Sequence, residues 1–304
     1  MRFLPSRLRV GLALGGGGVR GLSHLGVLKV LEEEGIRIDL IAGVSMGAII
    51  GGGYALNPDI KSLTSALLEA LDKIDISKIE GVSYGEFFRK KDSVYKKLSA
   101  FVREIYALGK QRLQGFIIDS SLIEEAIKGW VDEKEFKETK IPFYAVCTDL
   151  NTGEEIVVHE GRLDKAILAS AAIPAVFPPI EIKGRVLTDG GVLESVPVKV
   201  LRREGADIVI AVNLHPGLKR RDFSKGMEIL YQISDIRAKV LNDIQLTSAD
   251  IVIEPPLKEI GWAHFSQARR CIKAGEEETR RRVEEIKVLL RRKKGWLVRL
   301  FSKG

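Results

Sequence analysis

Ile38-Asp39-Leu40-Ile41-Ala42-Gly43-Val44-Ser45-Met46-Gly47-Ala48-Ile49-Ile50-Gly51-Gly52-Gly53-Tyr54 decides the fold of this 304-residue chain. Its first five residues make an apolar run of the length of a buried strand, and residues 48–54 make a helix of small side chains. Between them, Gly43-Val44-Ser45-Met46-Gly47 has the G-x-S-x-G form. A serine on a tight strand-to-helix turn needs small neighbours if its hydroxyl is to be exposed. The helix that follows points its positive N-terminal end at any charge developing near Ser45. Taken alone, the motif also reads as a glycine-rich helix start packed on a sheet.

Upstream, Gly15-Gly16-Gly17-Gly18-Val19-Arg20-Gly21 comes directly after the apolar run 8–14 and before a helical segment. Successive glycine amides there can turn toward one concavity and stabilise an anion, either a phosphate or the oxyanion of a tetrahedral intermediate. Gly16, Gly18 and Gly21 also fit the dinucleotide fingerprint. That reading needs an acid at the end of the second strand, whereas Asp39 begins it. A Walker A loop is excluded, because no Gly-Lys-Ser/Thr follows the glycines.

Downstream, Leu187-Thr188-Asp189-Gly190-Gly191 ends a short strand in a carboxylate followed by two permissive glycines. Asp189 approaches Ser45 if the two strand ends lie side by side; by itself the segment is a plain Asp-Gly turn. The usual base for a serine is histidine, yet the four present fit poorly. His24 lies inside the helix after the glycines, His159 ends a polar strand, His215 follows a strand end, and His264 is far downstream. Each reads as structural, and Asp189 is the better candidate.

Short apolar runs alternate with longer segments of helical period, the pattern of an α/β fold with a mostly parallel sheet covered on both faces. Strands are expected at 8–14, 38–44, 141–148, 155–159, 185–188, 208–213 and 251–253. Helices are expected at 19–34, 46–56, 60–71, 93–108, 121–131, 163–171, 197–203, 225–245 and 266–292. Residues 1–262 read as one catalytic domain and 263–304 as a helical basic appendage. Within the first, 72–114 mixes lysines with Tyr84, Phe87, Phe88, Tyr95, Phe101 and Tyr106, which suits either a lid over an apolar channel or an ordinary helical layer.

Four blocks in order carry a resemblance. Gly16-Gly17-Gly18-Val19-Arg20-Gly21, Gly43-Val44-Ser45-Met46-Gly47, Ala169-Ser170-Ala171-Ala172-Ile173-Pro174 through Phe177-Pro178-Pro179, and Asp189-Gly190-Gly191 resemble the patatin-like phospholipases. Within that family the chain looks most like the bacterial members related to the neuropathy target esterase catalytic domain. The resemblance implies a three-layer α/β/α sandwich and a Ser-Asp dyad without histidine. Ser45 would be the nucleophile, Asp189 the base, and the Gly16, Gly17 and Gly18 amides the oxyanion hole, with Arg20 nearby. It also implies phospholipid, lysophospholipid or related acyl-ester substrates, cleaved with no metal and no cofactor. Two other classes stand beside it: a dinucleotide-binding oxidoreductase, and a catalytically silent scaffold of the same fold.

The net charge of +7 suggests nucleic acid only until it is located. Residues 279–304 hold ten Lys/Arg against two Glu, a net +8, which leaves the rest near −1. In that tail Val283, Ile286, Leu289 and Leu290 recur at helical spacing among the basic residues, before Trp296-Leu297-Val298-Arg299-Leu300-Phe301. Such a basic amphipathic helix is expected on an anionic membrane surface, with docking on the domain or a dimer contact as alternatives. Nucleic acid has less use for the apolar ending. Cys147 and Cys271 have no partner at metal-ligand spacing and are expected as free thiols of a reduced compartment. No apolar run reaches the ~18 residues that span a bilayer. The run 10–14 leads into the glycines, so no export signal is read there, and the expectation is a cytoplasmic protein peripheral to the inner face of the membrane.

Overall fold

Apolar runs without alternation require cover on both faces of the sheet, and the chain supplies it. The computed structural model describes residues 8–73, 130–218 and 226–301, together with 123, 124, 127, 220, 223 and 224. Its strands are β1 (Val10–Leu14), β2 (Leu40–Gly43), β3 (Phe143–Asp149), β4 (Glu155–Val158), β5 (Ile180–Ile182), β6 (Arg185–Asp189), β7 (Ile208–Val212) and β8 (Ile251–Ile253). They form one sheet in the order β5-β6-β3-β2-β1-β7-β8, with β4 also paired to β3. The run from β3 to β8 is parallel, and β4, β5 and β6 are joined by antiparallel pairings.

Side chains of β1 and β2 alternate between two cores as the pleat dictates. Leu12, Leu14 and Ile41 enter one, and Ala13, Leu40 and Ala42 the other. The helices are α1 (Ser23–Glu33), α2 (Met46–Leu56), α3 (Ile60–Lys73), α4 (Leu163–Ser170), α5 (Val198–Arg203), α6 (Gly226–Leu246) and α7 (Ala268–Phe301). Residues of α1 to α4 and α7 fill the first core, and those of α5 fill the second, which gives the three-layer α/β/α arrangement. Two details depart from expectation. The segment after the glycines starts as a 3-10 turn, Gly18–Leu22, before α1 begins. The strand β5 is too short, at three residues, for any period to reveal it. The expected helix 93–108 and all but the first residues of the 72–114 insertion lie outside the described residues, as does most of 121–131.

The long C-terminal helix is present, and its apolar stripe is spent on the protein itself. Val283 and Ile286 are buried, and Leu289 and Leu290 pack on the main core. The contact with α1 is close: a Cβ on Gly26 would lie 2.1 Å from Ile272 O, and one on Gly275 would lie 2.1 Å from Ser23 O. Lys29 pairs with Glu276 at 2.9 Å, Arg280 with Glu33 at 2.6 Å, Lys287 with Glu34 at 2.6 Å and Lys293 with Asp250 at 3.0 Å. Exposed pairs each contribute at most about 1 kcal/mol; the buried aliphatic side chains, at about 1.5–3 kcal/mol each, hold the helix down. Of the readings open for this tail, docking is the one realised through Leu290. Cys147 and Cys271 are both buried and free. Among the described residues no helix is long and apolar enough to cross a membrane.

Candidate active site

Ser45 follows β2 and caps α2 with φ 55° and ψ −123°. A positive φ at a residue bearing a Cβ costs about 1–3 kcal/mol, so the surroundings must impose it. Val44 N–H donates to Leu14 O at 3.1 Å, and Gly47 N–H returns to Val44 O at 2.8 Å. Ser45 N–H donates to Ser170 Oγ at 3.1 Å, while the Ser170 hydroxyl donates to Val146 O at 2.6 Å. The elbow glycines are there for space. A Cβ on Gly47 would stand 2.2 Å from Leu14 O, and one on Gly43 would stand 2.4 Å from Gly47 O.

The sheet register brings the carboxylate to this turn. Gly43 pairs with Ala145 across β2 and β3, and Cys147 pairs with Asp189 across β3 and β6. Two residues beyond Gly43, Ser45 therefore stands level with Asp189 on the other side of β3. The Ser45 hydroxyl lies near enough to the Asp189 carboxylate to favour its charged form, and Gly191 N–H donates to Asp189 Oδ1 at 2.7 Å. Both residues are buried, Ser45 at 7% and Asp189 at 6% exposure. Burial pushes the Asp189 carboxyl up from 3.8 to about 6, against the opposing pull of the Ser45 hydroxyl and the Gly191 amide.

The glycine loop faces the same point, though its three amides are not equivalent. Gly16 N–H donates to Ser195 O at 3.0 Å. The amides of Gly17 and Gly18 make no hydrogen bond to the described residues, so these two are the donors available to an anion beside Ser45. His24 Nε2 donates to Gly15 O at 2.8 Å, and burial lowers its ring to about 4, so it is a neutral brace beneath the loop. Arg20 is buried, donates from Nε to Gly17 O at 3.3 Å, and is drawn down by desolvation to about 10, still charged at neutral pH.

Two cavities meet at Ser45. A cleft of about 330 Å³ is lined by Gly17, Gly18, Arg20, Asp189 and Val192 among others. An apolar pocket of about 80 Å³ runs between Met46, Ile49, Leu67, Phe177 and Phe265. Gly18, Ile173 and Trp262 line both, and no histidine lines either. His215 Nδ1 accepts from Gly217 N–H at 3.0 Å, and the His159 ring lies tilted against Tyr144. A larger hollow of about 400 Å³ beside Arg37, Asp39 and Pro142 opens at the opposite ends of the strands, away from Ser45 and Asp189. Asp39 there accepts from Val10 N–H at 3.0 Å, far from the glycines, so it cannot serve a nucleotide bound on them.

Sequence reasoning singled out Ser45, Asp189 and the glycines but gave no role to Ser170, which pins the elbow, or to Ser195, which takes the Gly16 amide. Ser170 sits in the quoted block Ala169-Ser170-Ala171-Ala172, so its place was visible and its bond to a residue 125 positions away was not.

The family model for patatin-like phospholipase matches residues 12–202. An NTE family protein of Mycobacterium bovis is 35% identical over 209 residues, covering 68% of this chain and 49% of its own length. Lysophospholipase NTE1 of Candida glabrata is 31% identical over 301 residues, covering 88% of this chain and 16% of its own. The chain thus spans about half the length of the mycobacterial relatives it matches and a smaller part of the fungal one. VipD from Legionella pneumophila superposes over 92% of this chain and 67% of its own, with a TM-score of 0.52 and 17% identity. Human GIVD cytosolic phospholipase A2 superposes over 93% and 60%, with a TM-score of 0.52 and 13% identity. At such identity the likeness is one of fold.

Proposed function

The chain belongs to the patatin-like phospholipase family, and from that premise we propose that it hydrolyses acyl esters of phospholipids or lysophospholipids through Ser45 and Asp189. The observation that carries the proposal is a strained serine and a buried carboxylate facing one cleft where an apolar pocket meets two unengaged amides. Ser45 Oγ attacks the ester carbonyl while Asp189 takes its proton. The Gly17 and Gly18 amides stabilise the oxyanion, aided by the N-terminal end of α2 and the Arg20 charge. Collapse expels the lysolipid or glycerol alcohol, which recovers the proton from Asp189. Water then attacks the acyl-enzyme with Asp189 again as base, releasing the fatty acid and restoring Ser45. The apolar pocket beside Met46 and Phe177 receives the acyl chain.

The substrate reaches the site from an anionic membrane surface on which the protein sits peripherally, and the basic end of α7 beyond Leu290 adds attraction to it. Ser45→Ala and Asp189→Asn should each abolish hydrolysis of a p-nitrophenyl ester while the circular dichroism spectrum is kept, because the two groups act as a unit. Full activity in either variant rejects the dyad. Failure of a fluorophosphonate probe to label Ser45 in the intact chain would instead favour a silent scaffold.

A further inference from the structure

Helix α6 is amphipathic the wrong way round. Its inward side buries two polar residues, Asn242 and Gln245, beside Leu246 on the second core, and Gln245 ties the helix to the loop after Asp189, accepting from Ser195 N–H at 3.1 Å and donating to Leu193 O at 2.8 Å. Its outward side carries Leu230, Ile233, Ile236, Val240, Leu241 and Ile244, all 40% to 59% exposed. At about 100° per residue these six fall within about 140° of the circumference, opposite the buried residues, and only Arg237 interrupts them between the first and the last. A helix with scattered surface aliphatics needs no explanation, but a continuous exposed stripe of this size marks a contact.

The inner side of the helix borders the cleft: Asp235 acts electrostatically on Arg20, and Gln245 supports the loop that carries Val192, itself 48% exposed on the cleft rim. In the described part of the chain entering α6, the exposed Arg220 falls between Leu218 and Phe223. In it Leu218 is 46% and Phe223 52% exposed. Exposed aliphatic and aromatic side chains with the exposed Arg220 and Arg237 among them match an interface of acyl chains under anionic headgroups. A second copy matches less well. An antiparallel two-fold contact centred on the stripe sets Arg237 against Arg237, a like-charge pair in an apolar seam.

We infer that the outward face of α6, with Leu218, Arg220 and Phe223 ahead of it, is the surface by which the protein lies on an anionic lipid bilayer. The inference rests on the proposed lipid hydrolysis for its purpose but not for its test. The probe is a vesicle of phosphatidylcholine with phosphatidylglycerol, compared with phosphatidylcholine alone, in a flotation assay. The double variant Ile233→Glu, Val240→Glu should bind the anionic vesicles at least about tenfold more weakly than the natural chain, while cleaving soluble p-nitrophenyl butyrate at the same rate. As a second measurement, Leu230→Cys can be labelled selectively with an environment-sensitive dye, because Cys147 and Cys271 are buried. Its emission should shift to the blue on adding anionic vesicles and be quenched by brominated acyl chains.

Undiminished binding by the double variant overturns the inference, as does binding lost only when the chain is cut after Lys294, which assigns the contact to the tail. A dimer of the natural chain that the double variant dissociates, seen by light scattering, gives the face to a second copy instead. A dye site that cannot be labelled gives it to another part of the same chain. The Ser45→Ala variant should bind vesicles at the natural level. If the natural chain binds through this face yet cleaves no ester, the catalytic reading fails and the docking face stands.

Discussion

Replacing Asp189 by Asn should inactivate the protein and stabilise it at the same time, in a pH-dependent way. Asp189 is buried, and its carboxyl is raised from 3.8 to about 6 chiefly by desolvation. The folded state therefore holds this proton more tightly than the unfolded one. A group of that kind contributes fully below about pH 4, and its contribution is lost as pH rises through about 6. The shift of roughly 2 pH units, at 1.36 kcal/mol each, makes the buried charge cost about 3 kcal/mol at pH 8. Asparagine keeps the shape and an oxygen for Gly191 N–H but has no charge to desolvate. With an unfolding entropy of about 2.1 cal/mol/K per residue, the variant should melt about 4–5 °C above the natural chain at pH 8 and close to it at pH 4. Scanning fluorimetry of both proteins at the two pH values measures this, and p-nitrophenyl ester hydrolysis should fall at least about a thousandfold. A variant less stable at pH 8, or equally shifted at both pH values, would falsify the reading of Asp189 as a carboxylate kept charged at the protein's expense.

The same group sets the pH dependence of turnover: kcat/KM for a soluble ester should fall about tenfold per pH unit below an apparent value of about 6, because a protonated Asp189 cannot take the Ser45 proton. A flat profile between pH 5 and pH 8, on the order of those limits, removes Asp189 from the role of base. Ser45→Gly and Ser45→Ala both delete the hydroxyl, but only glycine relieves φ 55°, so urea unfolding should find the glycine variant more stable by roughly 1 kcal/mol. Ending the chain before Thr279 strips the buried Val283 and Ile286 from the protein and should cost about 5 kcal/mol, read as a lower urea midpoint.

What the amino-acid sequence made legible is what needs an unusual residue at an unusual backbone position. Gly43, Ser45 and Gly47 form a turn that few residues can make, and Asp189 before two glycines is a strand end with one acidic group in reach, so both could be read locally. The division of labour among Gly16, Gly17 and Gly18 could not, because it depends on Ser195 O arriving from another loop. The apolar spacing of α7 is the same whether its stripe meets lipid or protein, and the glycines at Gly26 and Gly275 that admit α1 so closely are only recognisable once the helices are paired. Helix α6 shows the limit most clearly. Its period announces an amphipathic helix, and the default assignment turns the aliphatic side to the core. Two polar residues reverse it: Asn242 is buried and Gln245 holds both Leu193 O and Ser195 N–H, which commits the polar side to the catalytic loop. Hydrophobic period identifies a helix and its two faces; which face turns inward is set by the most demanding hydrogen bonds, and here those belong to the loop that carries the candidate base.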